Sequence, residues 1–382
     1  MRFVFIAFGL LFAGCSSLEN WQSDTKSRRV FKTEKKWVRA TNTEPNHKFR
    51  KINRFQPVIY KDMVITGNSL DGIAAYTRDG GHLKWKLPIV NGVESTASLI
   101  NDRLFFGALD GQFYSVDADD GSVIWTFPTR IETLSEPLLV DGMVYILTGN
   151  NSLYALDAAT GKKVWIYSRQ ETNALSIRGG SRPAFKNGSL YVGFSDGSIV
   201  SLLAETGTVK WEKQLSRNKR FRDLDSDVTI DGDFLYLVGF DDATYCLRTA
   251  TGDEVWKNKS GGYGRPLVVQ DLVYVATTNS ELMALKKETG VELWKLPVAE
   301  EGIASSPTHY KGTIAYGESS GSLKFVDALT GKDIAHFQPG RGIFAQPQID
   351  EKNNRAYFIS NESNLWALDI GWSRPNWFPF VP

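Results

Sequence analysis

The amino-acid sequence predicts an all-β chain: an eight-bladed β-propeller of four-stranded antiparallel blades, its ring closed by the N-terminal strand. Three observations point there. Gly-x-x-x-Trp recurs at Gly81/Trp85, Gly121/Trp125, Gly161/Trp165, Gly207/Trp211, Gly252/Trp256 and Gly290/Trp294, with the tryptophans 40, 40, 46, 45 and 38 residues apart. Two tracks of turn-forming pairs keep step with that period, one including Asp141-Gly142 and Asn187-Gly188, the other Asp110-Gly111 and Asp196-Gly197. Between the turns run short β-rich segments such as Leu272-Val273-Tyr274-Val275.

Each element follows from these markers. Gly, Asn and Asp tolerate the positive φ that tight hairpins require, so every period holds three turns and four short strands. A single sheet of this size cannot bury both faces, so the units must stack radially and close. Gly331 continues the series with Ala335 in the tryptophan place, and Trp37 stands 48 residues before Trp85, which makes eight positions. Residues 343–369 supply three strands without a clear fourth, while the segment around Trp37 lacks a preceding three. The N-terminal strand is therefore expected to complete the last blade. Trp37, Trp85, Trp125, Trp165, Trp211, Trp256 and Trp294 read as blade-packing rings rather than a ligand cage, because a large aromatic at a fixed strand position buries much area against its neighbour. The expected propeller spans 34–370. Residues 371–382, with Trp372, Trp377, Phe378 and Phe380, are left as an aromatic C-terminal tail, since Pro375 and Pro379 oppose a regular strand.

Composition narrows the function. Lys plus Arg is 44 against Asp plus Glu at 43, a balance that argues against nucleic acid as a partner. With 42% apolar residues in 382, the chain can bury a sizeable core. Four histidines and two cysteines stand at no metal-ligand spacing from one another, so no metal is expected. No Gly-x-Ser-x-Gly, phosphate-cradling Gly-Lys loop or His-Glu-x-x-His is present, so no residue is assigned a catalytic role and no cofactor is expected.

The N-terminus reads as an export signal. Met1-Arg2 precedes the apolar run Phe3–Phe12, which is too short to span a bilayer. It leads into Leu11-Phe12-Ala13-Gly14-Cys15, which resembles the lipobox at which bacterial lipoprotein signals are cut and the cysteine acylated. Residues 1–14 are then a signal peptide, Cys15 the lipidation site and 15–33 a linker; an ordinary secretory signal with an incidental cysteine is the alternative. Ser16 and Ser17 look like the residues of lipoproteins sent to the outer membrane. The expected location is its periplasmic face.

The stretch Ala155-Leu156-Asp157-Ala158-Ala159-Thr160-Gly161-Lys162-Lys163-Val164-Trp165 resembles the consensus of the quinoprotein-like (PQQ-type) propellers. One branch of these comprises quinone-dependent dehydrogenases, whose adjacent cysteines are missing here. The other resemblance is to the BamB family, the propeller lipoproteins of the outer-membrane β-barrel assembly machinery. Leu175-Ser176-Ile177-Arg178-Gly179-Gly180-Ser181-Arg182-Pro183 and Asp223-Leu224-Asp225 look like two of its loop motifs, although Ser226-Asp227-Val228 departs from the pattern that follows the second. The resemblance implies a non-enzymatic scaffold that docks on the POTRA modules of BamA, works with other assembly subunits and nascent outer-membrane proteins, and assists barrel folding and insertion. A quinone-dependent periplasmic dehydrogenase or a propeller binding a small ligand is the alternative.

The same segments stand out without the family. They lie in the two longest spacings of the inner array, and extra residues in a propeller go into loops, which carry binding more often than packing does. Leu175 and Ile177 flanking Arg178 have the composition of an interface, and Asp223 and Asp225 can orient Arg178 or meet a partner's basic residue. An internal salt bridge that fixes the loop is the other reading. Asp223-x-Asp225-x-Asp227 also resembles the start of a calcium loop, but Val228 and Phe234 stand where Gly and Glu belong.

Overall fold

A computed structural model of the chain describes residues 29–43, 52–169, 180–216, 222–224, 226–240, 243–298 and 302–373. Among these residues the strands form eight four-stranded sheets, all with antiparallel pairing. Blade 3 shows the pattern: strand a is Leu138–Val140, b is Met143–Thr148, c is Ser152–Asp157 and d is Lys163–Ser168. The a strands line the axis, and the contact between those of blade 8 (Gln348–Asp350) and blade 1 (Val58–Tyr60) returns the ring to its start.

The Gly-x-x-x-Trp motif is a lock between neighbouring blades. Trp165, on strand d of blade 3, lays its ring against Gly207 in the c–d turn of blade 4 and donates its indole N–H to the carbonyl of Ala204 at 3.0 Å. Trp37, Trp85, Trp125, Trp211, Trp256 and Trp294 repeat the bond, to Arg78, Ala118, Ala158, Thr249, Lys287 and Ala328. Gly207 has φ +71°, and a Cβ there would lie 2.8 Å from the Trp165 ring, so both the turn and the close approach require glycine. Within its own sheet each indole faces a small residue on strand c: Ala155 opposite Trp165, Ser201 opposite Trp211, Cys246 opposite Trp256. A bulge immediately precedes the tryptophan in each of these d strands, turning the ring toward the next blade.

The eighth seam is built differently, for a reason that lies in the closure. Blade 8 takes its strand c, Asn364–Ser373, from the C-terminal end of the described chain and its strand d, Val30–Ala40, from the N-terminal end. No c–d turn joins them, so the turn glycine that receives a tryptophan ring at the other seams is missing here. Ala335 occupies that place, and the bulk moves to its cross-strand partner Phe325. Phe31 then fills the seam, its ring 4.9 Å from that of Phe325 and 6.1 Å from that of Tyr310, with Trp372 edge-on at 5.2 Å. On the far side of blade 8, Arg355 bonds Asp369 and Asp79, and Arg78 pairs with Asp350, bracing blades 8 and 1.

Two expected boundaries are corrected. The linker was expected to run to residue 33, but Val30–Thr33 pair with Ile370–Ser373 and Phe31 is buried. For the same reason residues 371–373 belong to blade 8, not to a tail; 374–382 lie outside the described residues. The exposed, charged residues around Phe31 hid the first residues of this strand, where Phe31 alone is buried.

Trp165→Ala removes an inter-blade ring and its hydrogen bond and is expected to cost about 3–5 kcal/mol in urea unfolding. Phe31→Ala is expected to cost about 3 kcal/mol although Phe31 lies outside the repeat, and an unchanged urea midpoint would show that the seam does not depend on it.

Candidate functional site

In blades 1 to 7 the a–b and c–d turns share one rim, as in the bond from Arg78 N to the Asp62 carbonyl. The d–a loops share the other rim with the b–c turns, as in the bond from Leu215 N to Gly197 O. Strand d of blade 8 starts on the first rim, so the chain enters there at Val30. The long connections 169–183 and 215–228 are d–a loops, adjacent on the second rim.

Leu175, Ile177, Arg178 and Asp225 lie outside the described residues, as does Cys15. Asp223 is described and 1% exposed. Its carbonyl accepts from Phe240 N at 2.9 Å, and the next residue, Leu224, is fully buried, with its N–H directed to Phe194 O. The expectation that Asp223 offers its carboxylate to a partner fails on that burial. Its position suits the other reading, an anchor for the loop.

The structure shows a constellation that the sequence reading missed. The residue two positions before each a strand points into the channel mouth, one from each blade: Gln56, Thr96, Glu136, Arg182, Asp227, Arg265, Ser306 and Gln346. Blades 3 to 6 place a carboxylate, a guanidinium, a carboxylate and a guanidinium there in turn; the other four are neutral. Arg265 Nη2 reaches Glu136 Oε2 at 2.6 Å across the mouth and Asp227 Oδ2 at 2.7 Å beside it, while its Nε donates to Asp227 at 2.8 Å. Arg182 Nε pairs with Glu136 Oε1 at 3.1 Å, and Arg182 N donates to Asp227 Oδ1 at 2.8 Å. Burial works against the Arg265 charge, but Asp227 and Glu136 outweigh it and hold its pKa above the ordinary value. A signal was there to be read: a polar residue directly before Pro57, Pro137, Pro183, Pro266, Pro307 and Pro347 repeats with the blades.

Next to the quartet the mouth opens into a cavity of about 390 Å³ walled by Leu134, Phe240, Tyr263, Ile303 and Phe344, with Arg54 exposed at its edge. Tyr263 donates its hydroxyl to the Ala304 carbonyl at 2.7 Å, and burial pushes that hydroxyl's pKa up. Among the described residues no three His, Cys, Asp or Glu side chains are grouped to hold a metal ion.

The family model for outer membrane protein assembly factor BamB matches residues 71–296. The chain belongs to the BamB family. It is 25% identical over 259 residues to the BamB of Shewanella oneidensis, a match that spans 66% of this chain and just under two thirds, 65%, of that relative. To the BamB of Shigella dysenteriae it is 32% identical over 275 residues, 70% of this chain and 69% of the relative. The crystal structure of BamB from Moraxella catarrhalis superposes with a TM-score of 0.76 at 19% identity, covering 88% of this chain and all of that one, a likeness of fold.

Cys246 lies in the small slot opposite Trp256 and is 1% exposed. Burial pushes its thiol up to about 11, only partly offset by the Tyr236 hydroxyl. A thiol held neutral and enclosed is a packing group, not a nucleophile. In a variant with Cys15 replaced, Ellman's reagent at pH 8 is expected to leave the native protein unlabelled and to titrate one thiol after unfolding. Because the folded pKa is raised, this thiol's contribution to stability is present below its ordinary value of 9.0 and is lost as pH climbs toward about 11. Cys246→Ser is expected to flatten that part of the stability profile.

Proposed function

We propose that this BamB-family chain is a non-enzymatic assembly factor for outer-membrane β-barrel proteins, held at the periplasmic face of the outer membrane by lipid on Cys15 after removal of residues 1–14. Residues 15–29 serve as the tether, and the ring from Val30 to Ser373 is a rigid docking body. The observation that carries this reading is that the described stems of the two long d–a connections lie side by side on the rim opposite the one where Val30 begins. A partner module that docks on that rim meets the ring at the end away from the attachment point. Leu175, Ile177 and Arg178 supply apolar anchors and a cation for the POTRA modules of BamA, Asp225 contributes a carboxylate, and Asp223 anchors its loop. By holding those modules in one orientation, the propeller favours insertion of nascent barrel proteins.

The alternative of a quinone-dependent dehydrogenase finds no support in the residues: the chain has no adjacent cysteines, and Glu136, Arg182, Asp227 and Arg265 at the channel mouth are engaged with one another.

The soluble chain from Ser16, mixed with the periplasmic region of the barrel insertase from the same cell, is expected to capture it in a pull-down. Arg178→Ala combined with Leu175→Ala is expected to weaken capture by at least about tenfold with the circular dichroism unchanged. Full capture by that double variant would remove the site, and no capture by the wild type would remove the reading.

A further inference from the structure

The charged half of the channel ring coincides with the part of the propeller that carries the two long loops. Arg182 ends the first of these connections one residue short of Pro183, and Asp227 lies next to the end of the second. The stems are tied directly, through Arg182 N to Asp227 Oδ1 at 2.8 Å and Val228 N to Arg182 O at 3.4 Å. Arg265 and Glu136, from the loops on either side, clamp that pair: Arg265 holds Asp227, Glu136 holds Arg182, and the two clamps meet each other at 2.6 Å. Two cations and two carboxylates balance in charge. Glu136 is further fixed by the Ser98 hydroxyl at 3.2 Å.

We propose that this quartet is a positioning device, which sets the separation of the two loop stems and through them the docking surface. The docking half of this inference rests on the function proposed above. Arg265 and Glu136 are positioning residues, because they act on that surface only through Arg182 and Asp227. The guanidinium is suited to the task since one planar fork reaches two carboxylates from two other blades at once, which a lysine's point charge does with poorer geometry. Without Arg265, Glu136 and Asp227 face each other with one cation between them. The stems then lose both the clamp and the balance of charge.

Three variants of the whole soluble chain test this: Arg265→Met, Arg265→Lys and Glu136→Gln. The first readout needs no partner. Backbone hydrogen exchange in the stem segments 180–186 and 222–229 is expected to accelerate by about tenfold or more in Arg265→Met, to recover largely in Arg265→Lys, and to stay unchanged in the a strands of blades 7 and 8. The second readout is affinity for the insertase's periplasmic region, expected to fall by about tenfold in Arg265→Met and by about threefold or less in Arg265→Lys. A purely structural role would not be rescued by charge alone.

Unchanged stem exchange in Arg265→Met overturns the proposal, whatever the binding shows. Faster stem exchange with unchanged affinity overturns the claim that the device serves docking. If the wild type fails to bind, the docking reading falls, and stem exchange still decides whether the quartet positions the loops. Should Arg265→Met lose its cooperative melt, Glu136→Gln, which keeps the shape and removes the charge, carries the same two measurements.

Discussion

An indole laid on a glycine of the next blade is the contact on which this propeller depends. It is one interaction with three parts: a buried ring, a hydrogen bond from its N–H to a turn carbonyl, and a glycine whose positive φ both makes the turn and leaves room for the ring. Because donor and receiver sit on successive repeats, each blade is at once lock and keyhole. A ring assembled this way has no natural last member. The two ends of the chain must supply one, and they do so at the only seam where the receiving turn is missing. There the aromatic bulk shifts from strand d to Phe325 on strand c and to Phe31 on the incoming N-terminal strand.

That logic explains what could be read from the sequence. The tryptophans, glycines and turn pairs form local patterns repeated at a fixed period, and repetition amplifies a weak local signal, so the blade count and the N-terminal closure were legible. The first residues of the closing strand were not. Val30 and Lys32 look like linker because their side chains face solvent, and only pairing with the far end of the chain reveals the strand. Asp223 misled in the opposite way: a carboxylate in a charged loop reads as exposed, but its neighbour Leu224 enters the core and carries it inside.

The channel quartet belongs to a third category. Glu136 and Arg265 are 129 positions apart, and each in its own repeat is only a polar residue before a proline. Ring closure alone brings them within 2.6 Å. The asymmetry this creates is notable in a repeat protein, since eight similar blades yield one charged arc and one neutral arc. Stability does not demand such a division, for the neutral arc closes as well as the charged one. The repeat thus fixes a shared slot, and individual residues in that slot break the symmetry of the ring.

The closing strand has a mechanical consequence. Val30 begins at the rim where the chain enters and runs lengthwise through the blade, paired antiparallel with Asn364–Ser373 along its whole length. A pull on the N-terminal segment, directed away from that rim, acts along the strand axis. Such a load is shared among the registered pairs and the Phe31 and Trp37 side chains, so it shears the sheet instead of unzipping it one bond at a time. The seam that closes the ring is in this direction its tension member.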